Sequence, residues 1–315
     1  MNPLESIYGG VVRARNGLYD NGTLKAQRLA GPVISIGNLS VGGAGKTPFV
    51  ILLAGLLAER GVQFDVLSRG YGRRRGGVRV VDPGGLPQEF GDEPLLIARQ
   101  LGAPVVIGED RYAAGRLAEK QFGTRLHLLD DGFQHRSLAR DFDIVLVTPD
   151  DPRDRLLPVG RLREPLAALQ RADAVVLSSG AAAGDFPLAG KLVWRVRRGI
   201  VPVKIPDRPV AFCGIARPKN FFLQLRTAGV DPAAHAVYRD HHAYGERDVR
   251  ELLALRQSSG AGGFVTTEKD AVNLGGYLSA LEPLTVVPVK MELADAAAAV
   301  DAMLDKIAER RAGRA

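Results

Sequence analysis

A glycine-rich run followed by lysine and threonine is the feature of this sequence that most directly indicates chemistry. Gly42, Gly43, Ala44 and Gly45 precede Lys46-Thr47. Backbone N–H groups in such a run, together with a following helix N-terminus, surround phosphate oxygens. The lysine then reaches the β- and γ-phosphates, and the threonine hydroxyl reaches Mg²⁺. The residues therefore predict a nucleoside triphosphate and Mg²⁺ as cofactors, although Ser40 stands where such loops usually have their first glycine.

Two further groups of residues have the types that phosphoryl transfer needs. Asp130 and Asp131 follow an apolar segment, as the metal-associated acid of a phosphate-loop enzyme does. Asp92 and Glu93 stand where a helix is predicted to begin. Near a γ-phosphate, such a carboxylate could accept the proton of an attacking hydroxyl. Both pairs also suit a simpler structural role, as a turn at Asp130 and as a helix cap at Asp92.

The elements that must position these residues alternate between strand-like and helix-like segments. Apolar strands are predicted at 33–37, 64–68, 104–108, 125–129, 142–147 and 174–178, with helices between them. This alternation predicts an α/β fold of the P-loop NTPase type, with a mostly parallel sheet and helices on both faces. Ligands then bind at the carboxyl ends of the strands.

The pattern changes after about residue 190, which predicts a division into domains. We expect an N-terminal amphipathic segment (1–30), a P-loop domain (31–190), a Pro-punctuated linker (191–207) and a smaller C-terminal α/β domain (208–315). The single cysteine, Cys213, excludes an internal disulfide and a zinc site built from several cysteines. The first 19 residues lack the apolar core of a secretory signal.

Positive charge is concentrated in two places along the chain. The net charge is +7, and Arg69, Arg73, Arg74, Arg75 and Arg79 lie within eleven residues that contain no acid. The N-terminal segment also interleaves basic side chains with apolar and aromatic ones. Such patterns suit an anionic membrane surface or an anionic substrate, and a solvated basic face is the simpler alternative. Because no nucleic-acid-binding motif accompanies the charge, we expect no nucleic-acid partner.

Several strings in this order resemble the tetraacyldisaccharide 4′-kinase family of lipid A biosynthesis, and the resemblance spans nearly the whole chain. They are Gly37-Asn-Leu-Ser-Val-Gly-Gly-Ala-Gly-Lys-Thr-Pro48, Ser68-Arg-Gly-Tyr-Gly-Arg73, Gly91-Asp-Glu-Pro94, Leu129-Asp-Asp-Gly-Phe-Gln-His135, Gly160-Arg-Leu-Arg-Glu-Pro165, Asp240-His-His-Ala-Tyr244 and Thr266-Thr-Glu-Lys-Asp270. Ser40 is itself consistent with this family. The resemblance implies transfer of the ATP γ-phosphoryl group to the 4′-hydroxyl of a lipid A disaccharide monophosphate.

The resemblance also implies roles for individual residues. Asp92 matches the proposed general base, and His241 matches the histidine that assists it, although the adjacent His242 leaves that choice open. The other implied site residues are Lys46, Arg163, Arg111 and Gln134 for nucleotide and catalysis, Thr47, Glu93, Asp130 and Asp131 for metal, and Tyr71, Arg73 and Glu164 for the acceptor. It leaves open which of Asp130 and Asp131 lies nearer the metal.

A lipid acceptor implies that the protein works at a membrane. We expect a peripheral or monotopic protein at the cytoplasmic face of the bacterial inner membrane, with no obligate protein partner. The N-terminal segment and the run Arg73 to Arg75 are the candidate docking surfaces.

The main alternative function is a P-loop GTPase or metallochaperone that acts as a switch. The guanine-reading string Asn-Lys-x-Asp is absent, and the nearest string, Thr267-Glu-Lys-Asp270, has its lysine one position away. A preference for ATP over GTP would indicate the kinase rather than the switch protein.

Overall fold

The computed structural model describes residues 2–201 and 204–314 and contains two β-sheets flanked by helices. The helices are α1 (Pro3–Asp20), α2 (Lys46–Ala58), α3 (Pro87–Phe90), α4 (Asp92–Gln100), α5 (Arg111–Phe122), α6 (Pro218–Thr227), α7 (Glu246–Ser259), α8 (Glu268–Leu274) and α9 (Ala296–Ala312). The strands are β1 (Val33–Asn38), β2 (Asp65–Ser68), β3 (Arg79–Val80), β4 (Val105–Ile107), β5 (His127–Asp130), β6 (Phe142–Val147), β7 (Ala174–Leu177), β8 (Leu192–Ile200), β9 (Val210–Cys213), β10 (Ala234–Val237), β11 (Phe264–Thr267), β12 (Leu284–Val287) and β13 (Val289–Leu293).

The larger sheet has nine strands in the order β13-β8-β7-β6-β1-β5-β2-β4-β3. Seven strands run parallel, and the edge strands β3 and β13 pair antiparallel with β4 and β8. Successive residues of a strand point to opposite faces, so Ile34 and Ile36 join one apolar cluster while Val33 joins another. Helices α2, α4 and α9 pack on the first face and α5 on the second. The predicted α/β class is confirmed.

The smaller sheet has four parallel strands in the order β10-β9-β11-β12. Phe212 and Phe264 pack edge to face in its core, with ring centroids 6.2 Å apart. Tyr244 also contacts Phe212, at 5.8 Å. The loops that follow β9, β10 and β11 carry polar side chains toward the larger sheet, so the two sheets meet where their strands end.

The sheets divide the chain differently from the predicted domain boundaries. Within the predicted linker 191–207, residues 192–200 form β8, and Pro202 and Val203 lie outside the described residues. In β8 the buried Trp194 and Val196 alternate with exposed arginines, and this alternation is the strand signal that the basic composition obscured. The chain also returns through β13 and α9 to the larger sheet. The division into independently folding domains stays a prediction.

The predicted N-terminal amphipathic segment contains α1, whose two faces differ. Among residues 2–201 and 204–314, no helix combines the length and apolar character needed to cross a bilayer. On one face of α1, Leu4, Ile7 and Val11 are each about 60% exposed. On the other, the Tyr8 hydroxyl donates to the carbonyl of Arg163 at 3.1 Å.

Candidate active site

The glycine-rich loop joins β1 to α2 at the carboxyl end of the larger sheet. Gly42, Gly43 and Gly45 have φ angles of 72°, 65° and 84°, which glycine adopts without steric cost. Gly43 also has no room for a side chain, because a Cβ there would lie 2.7 Å from Cγ of Arg217. The loop is therefore shaped for close backbone approach to phosphate, as the sequence predicts.

A cavity of about 720 Å³ opens over this loop, between the strand ends of the two sheets. Most of the predicted site residues line its wall. They are Gly42, Gly43, Ala44, Gly45, Lys46, Thr47, Tyr71, Asp92, Glu93, Asp130, Asp131, Arg163 and His241. Segments as far apart as the phosphate loop and the turn after β10 therefore contribute to one site.

Lys46 and Arg163 form an ion-pair network with Asp131 at the base of the cavity. Lys46 Nζ lies 3.0 Å from Asn38 Oδ1 and 3.4 Å from Asp131 Oδ1. Arg163 donates to both oxygens of Asp131, at 2.8 and 2.9 Å. Burial would raise the pKa of Asp131, but the two cations outweigh it and hold the pKa below its usual range. Asp131 is thus an anion whose two oxygens are occupied by Arg163.

Asp130 has a different environment from its neighbour. Its Oδ2 accepts a hydrogen bond from Ser68 at 3.0 Å, and its buried Oδ1 has no partner among the described residues. Burial, then Glu93 and Asp131, raises the pKa of Asp130 to about 7. A buried oxygen without a donor, in a cavity that Thr47 also lines, fits Mg²⁺, which takes few protein ligands and fills its shell with phosphate oxygens and water. Among the described residues, no group of three or more His, Cys, Asp or Glu side chains is arranged to hold a metal ion.

Asp92 and His241 are in direct contact across the boundary between the sheets. Asp92 begins α4, and His241 lies in the turn after β10 with a φ of 57°. His241 Nδ1 lies 2.8 and 2.9 Å from the two carboxylate oxygens of Asp92. Burial opposes ionisation of Asp92, yet the contact with His241 and the charge of Lys269 lower its pKa to about 2. For His241, burial and the charge of Lys269 lower the pKa, but Asp92 and Asp240 together outweigh them, so the net shift is upward.

The structure distinguishes between the two adjacent histidines. The His242 ring stacks on Tyr238, with centroids 4.6 Å apart, and its Nε2 lies 3.1 Å from Asp248. It therefore belongs to the small-sheet core. His241 instead faces the cavity, where the Tyr71 ring lies 5.3 Å from its own.

Four predicted site residues do not line the cavity. Arg111 donates to the carbonyls of Gly108 and Glu109, and burial followed by repulsion from Arg69 lowers its pKa to about 10. Gln134 and Glu164 bond to each other at 3.1 Å behind the loop. Arg73 is buried too, with its nearest carboxylate, on Glu109, at 3.7 Å. Arg111, Gln134 and Glu164 direct their polar atoms to backbone and neighbouring polar groups instead of the cavity, whereas the guanidinium of Arg73 has no hydrogen-bond partner among the described residues.

Three residues that line or support the site were not predicted from the sequence. Lys269 and Asn273, both on α8, contact Asp92, and Arg217 lies over the phosphate loop while pairing with Asp150 at 3.0 Å. Lys269 lies within the string Thr266-Thr-Glu-Lys-Asp270, so that string was its signal. Nothing in the local sequence marks Asn273 or Arg217.

Comparisons with known proteins agree with the geometry. The family model described as LpxK, tetraacyldisaccharide-1-P 4′-kinase, matches residues 1–308. The tetraacyldisaccharide 4′-kinase of Koribacter versatilis is 52% identical over 99% of this chain and 100% of its own length. That of Geobacter metallireducens is 43% identical over 91% of this chain and 92% of its own length. A crystal structure of LpxK from Aquifex aeolicus in complex with ATP superposes with a TM-score of 0.80 at 34% identity, covering 97% of both chains.

Proposed function

Because the chain belongs to the tetraacyldisaccharide-1-P 4′-kinase family, we propose how the residues of its cavity divide the work of phosphoryl transfer. The protein is an ATP-dependent kinase that phosphorylates the 4′-hydroxyl of a tetraacyldisaccharide 1-phosphate in lipid A biosynthesis, with Mg²⁺ as the partner of ATP. The switch-protein alternative is not favoured. The observation that carries our assignment of roles is the contact of Asp92 and His241 beside the phosphate loop.

Asp92 and His241 together accept the proton of the attacking hydroxyl. Asp92 is ionised at neutral pH, and its oxygens already accept from His241, from Asn273 and from the Glu93 backbone. The member of the pair that takes the proton is therefore the imidazole, with the carboxylate stabilising the positive charge that the imidazole gains. Tyr71, which is 64% exposed beside His241, is placed to contact the acceptor sugar.

Lys46, the loop N–H groups and Arg163 bind and orient the triphosphate. Lys46 exchanges its contact with Asp131 for phosphate oxygens, while Arg163 stays anchored through the same carboxylate and adds positive charge at the transferring group. Asp130 and Thr47 would hold Mg²⁺, which neutralises phosphate charge, and Glu93 lines the same cavity and adds negative charge near Asp130. The acceleration of phosphoryl transfer comes from positioning and charge neutralisation rather than from covalent chemistry.

Arg73, Arg111, Gln134 and Glu164 support the site from behind rather than contacting ligands directly. Gln134 and Glu164 hold the segments that carry Asn38 and Arg163. Arg111 places positive charge near Asp130 and Asp131, and Arg73 adds a second cation close to Arg111.

We place the exposed apolar face of α1 on an anionic lipid surface. Leu4, Ile7, Val11 and Leu18 recur at helical spacing and stay exposed, with Arg13 and Arg15 exposed nearby. Arg74 and Arg75 are exposed as well, whereas Arg73 is buried and takes no part. Such docking brings an acylated acceptor to the cavity at the cytoplasmic face of the inner membrane.

The membrane proposal is tested with anionic phospholipid vesicles and the triple variant Leu4→Ser/Ile7→Ser/Val11→Ser. In the wild type, insertion of these three apolar side chains into lipid should strengthen vesicle binding at least tenfold. Co-sedimentation of the triple variant should therefore fall by roughly that factor. The control Leu223→Ser/Val237→Ser changes equally exposed residues elsewhere and should sediment as wild type. Equal sedimentation of both variants would refute the assignment of α1.

The roles of the cavity residues are tested by transfer of labelled γ-phosphate from ATP to a detergent-solubilised disaccharide 1-phosphate. Wild-type protein should label the acceptor, while Asp92→Ala and Lys46→Ala should both lose nearly all transfer. Detergent removes the need for membrane docking, so the assay isolates the cavity. Undiminished transfer by Asp92→Ala would reject the proposed role of the Asp92–His241 pair.

A further inference from the structure

Lys269 lies at the centre of the proton-accepting side of the cavity. Its Nζ is 2.9 Å from Asp240 Oδ1, 3.2 Å from His241 Nε2, 3.5 Å from Glu93 Oε1 and 3.8 Å from Asp92 Oδ2. The side chain is only 16% exposed. A lysine so enclosed by acids is a fixed cation rather than part of a solvated surface.

The chemistry of the two nitrogens determines where the proton of His241 resides. A lysine ammonium has three donors and no acceptor, so its contact with Nε2 requires the free electron pair of the imidazole at that atom. The remaining ring proton is then on Nδ1, which faces the carboxylate of Asp92. Both neighbours therefore select the same tautomer.

We infer that Lys269 is a positioning residue for phosphoryl transfer, because it keeps the electron pair of His241 Nε2 directed into the cavity. The inference rests on the proposed role of Asp92 and His241. Nothing in the proposed proton acceptance requires Lys269 to gain or lose a proton itself.

The transfer step follows from this arrangement. The acceptor hydroxyl takes the place of the ammonium beside Nε2, while Lys269 keeps its bond to Asp240. As the hydroxyl oxygen bonds to the γ-phosphorus, its proton passes to Nε2 and the imidazole becomes doubly protonated. The bond from the γ-phosphorus to the bridging oxygen breaks, and its electron pair leaves with ADP.

Loss of the cation would change the proton count on His241. The groups facing its ring are Asp92 from α4, Lys269 from α8, Asp240 from its own turn and the Tyr71 ring. Without Lys269, two carboxylates face the ring with no opposing cation. They would hold a proton on each nitrogen, and a doubly protonated imidazole cannot accept another.

The kinetic test compares Lys269→Met with Lys269→Arg, which keeps the charge. In the Met variant we expect kcat to fall about 100-fold at neutral pH, with KM for ATP within about twofold of wild type and partial recovery of kcat as pH rises. The Arg variant should retain most activity, and Lys219→Met, at an exposed site on α6, should match wild type. A loss that is the same at every pH, or a rise in KM for ATP alone, would overturn the inference.

A spectroscopic test does not depend on turnover. Imidazole ¹⁵N shifts of selectively labelled protein, followed as pH rises, should show Nε2 of His241 losing its proton at a lower pH in wild type than in Lys269→Met. Loss of that proton at the same pH in both proteins, or a neutral wild-type imidazole with its proton on Nε2, would refute the inference. If the Asp92→Ala variant is inactive in the same preparation, the role of the pair survives and only the role of Lys269 fails.

Discussion

The two walls of the cavity are built in contrasting ways. On the nucleotide side, β1, the glycine-rich loop and the first turn of α2 form one continuous segment. On the proton-accepting side, Asp92 and His241 are 149 residues apart in the sequence, and Lys269 is 28 residues beyond His241. Binding phosphate with backbone N–H groups requires consecutive residues, whereas a pair of side chains can come from any two places in the chain.

The largest loss of activity should come from a substitution in the proton-accepting wall. Asp92→Ala removes the partner of His241 and should lower kcat by about 10²- to 10⁴-fold, the range for general base catalysis. KM for ATP should barely change, because the nucleotide wall is intact. Steady-state kinetics with Asp305→Ala as an exposed control checks this. A large increase in KM for ATP would show that the two walls are not separate in function.

Breaking the nucleotide wall should give a different kinetic signature. Lys46→Ala removes the ammonium that leaves Asp131 in order to bind the phosphate oxygens of ATP. The substitution should lower kcat/KM for ATP by about 10²- to 10³-fold. Calorimetry should show weaker nucleotide binding, while the Asp92→Ala variant binds ATP normally. Unaltered affinity in Lys46→Ala would contradict its assignment to the triphosphate.

A smaller effect is expected where the two walls touch. Gly43→Ala forces an alanine into a left-handed backbone and against Arg217, which belongs to the segment after β9. The backbone cost alone is about 1–2 kcal/mol, so ATP affinity should fall about tenfold. The control Gly184→Ala has open space around its Cβ position and should bind ATP as wild type. Identical affinities of the two variants would mean that neither the left-handed backbone of Gly43 nor its contact with Arg217 matters for ATP binding.

The smallest effect concerns pH and stability. His241 has a folded pKa above its ordinary 6.5, so its stabilisation is complete below pH 6.5 and is lost as pH rises through the folded value. Asp92, with its pKa lowered to about 2, stabilises above pH 3.8 and loses this as pH falls toward 2. The Tm gap between wild type and Asp92→Asn, on the order of 2 °C, should therefore be widest between pH 4 and 6.5. A gap that widens above pH 8 would contradict the ion pair.

The same contrast explains how much could be predicted from the sequence. The parallel sheet and the phosphate loop follow from local patterns, and the predicted strand 142–147 coincides with β6. Asp92 and His241 were found because a whole-chain resemblance supplied the long-range pairing. Asn273 and Arg217 were missed, since a side chain that enters a site from another sheet leaves no periodic or motif signal. Strand β8 was missed because its outward arginines resembled a basic linker.

The left-handed backbone of His241 sets stability against activity at a single position. A φ of 57° costs a histidine about 1–2 kcal/mol relative to glycine. Glycine or asparagine would relieve that cost but remove the imidazole from Asp92. Selection for growth would therefore keep the strained histidine, because only the imidazole completes the proton-accepting pair.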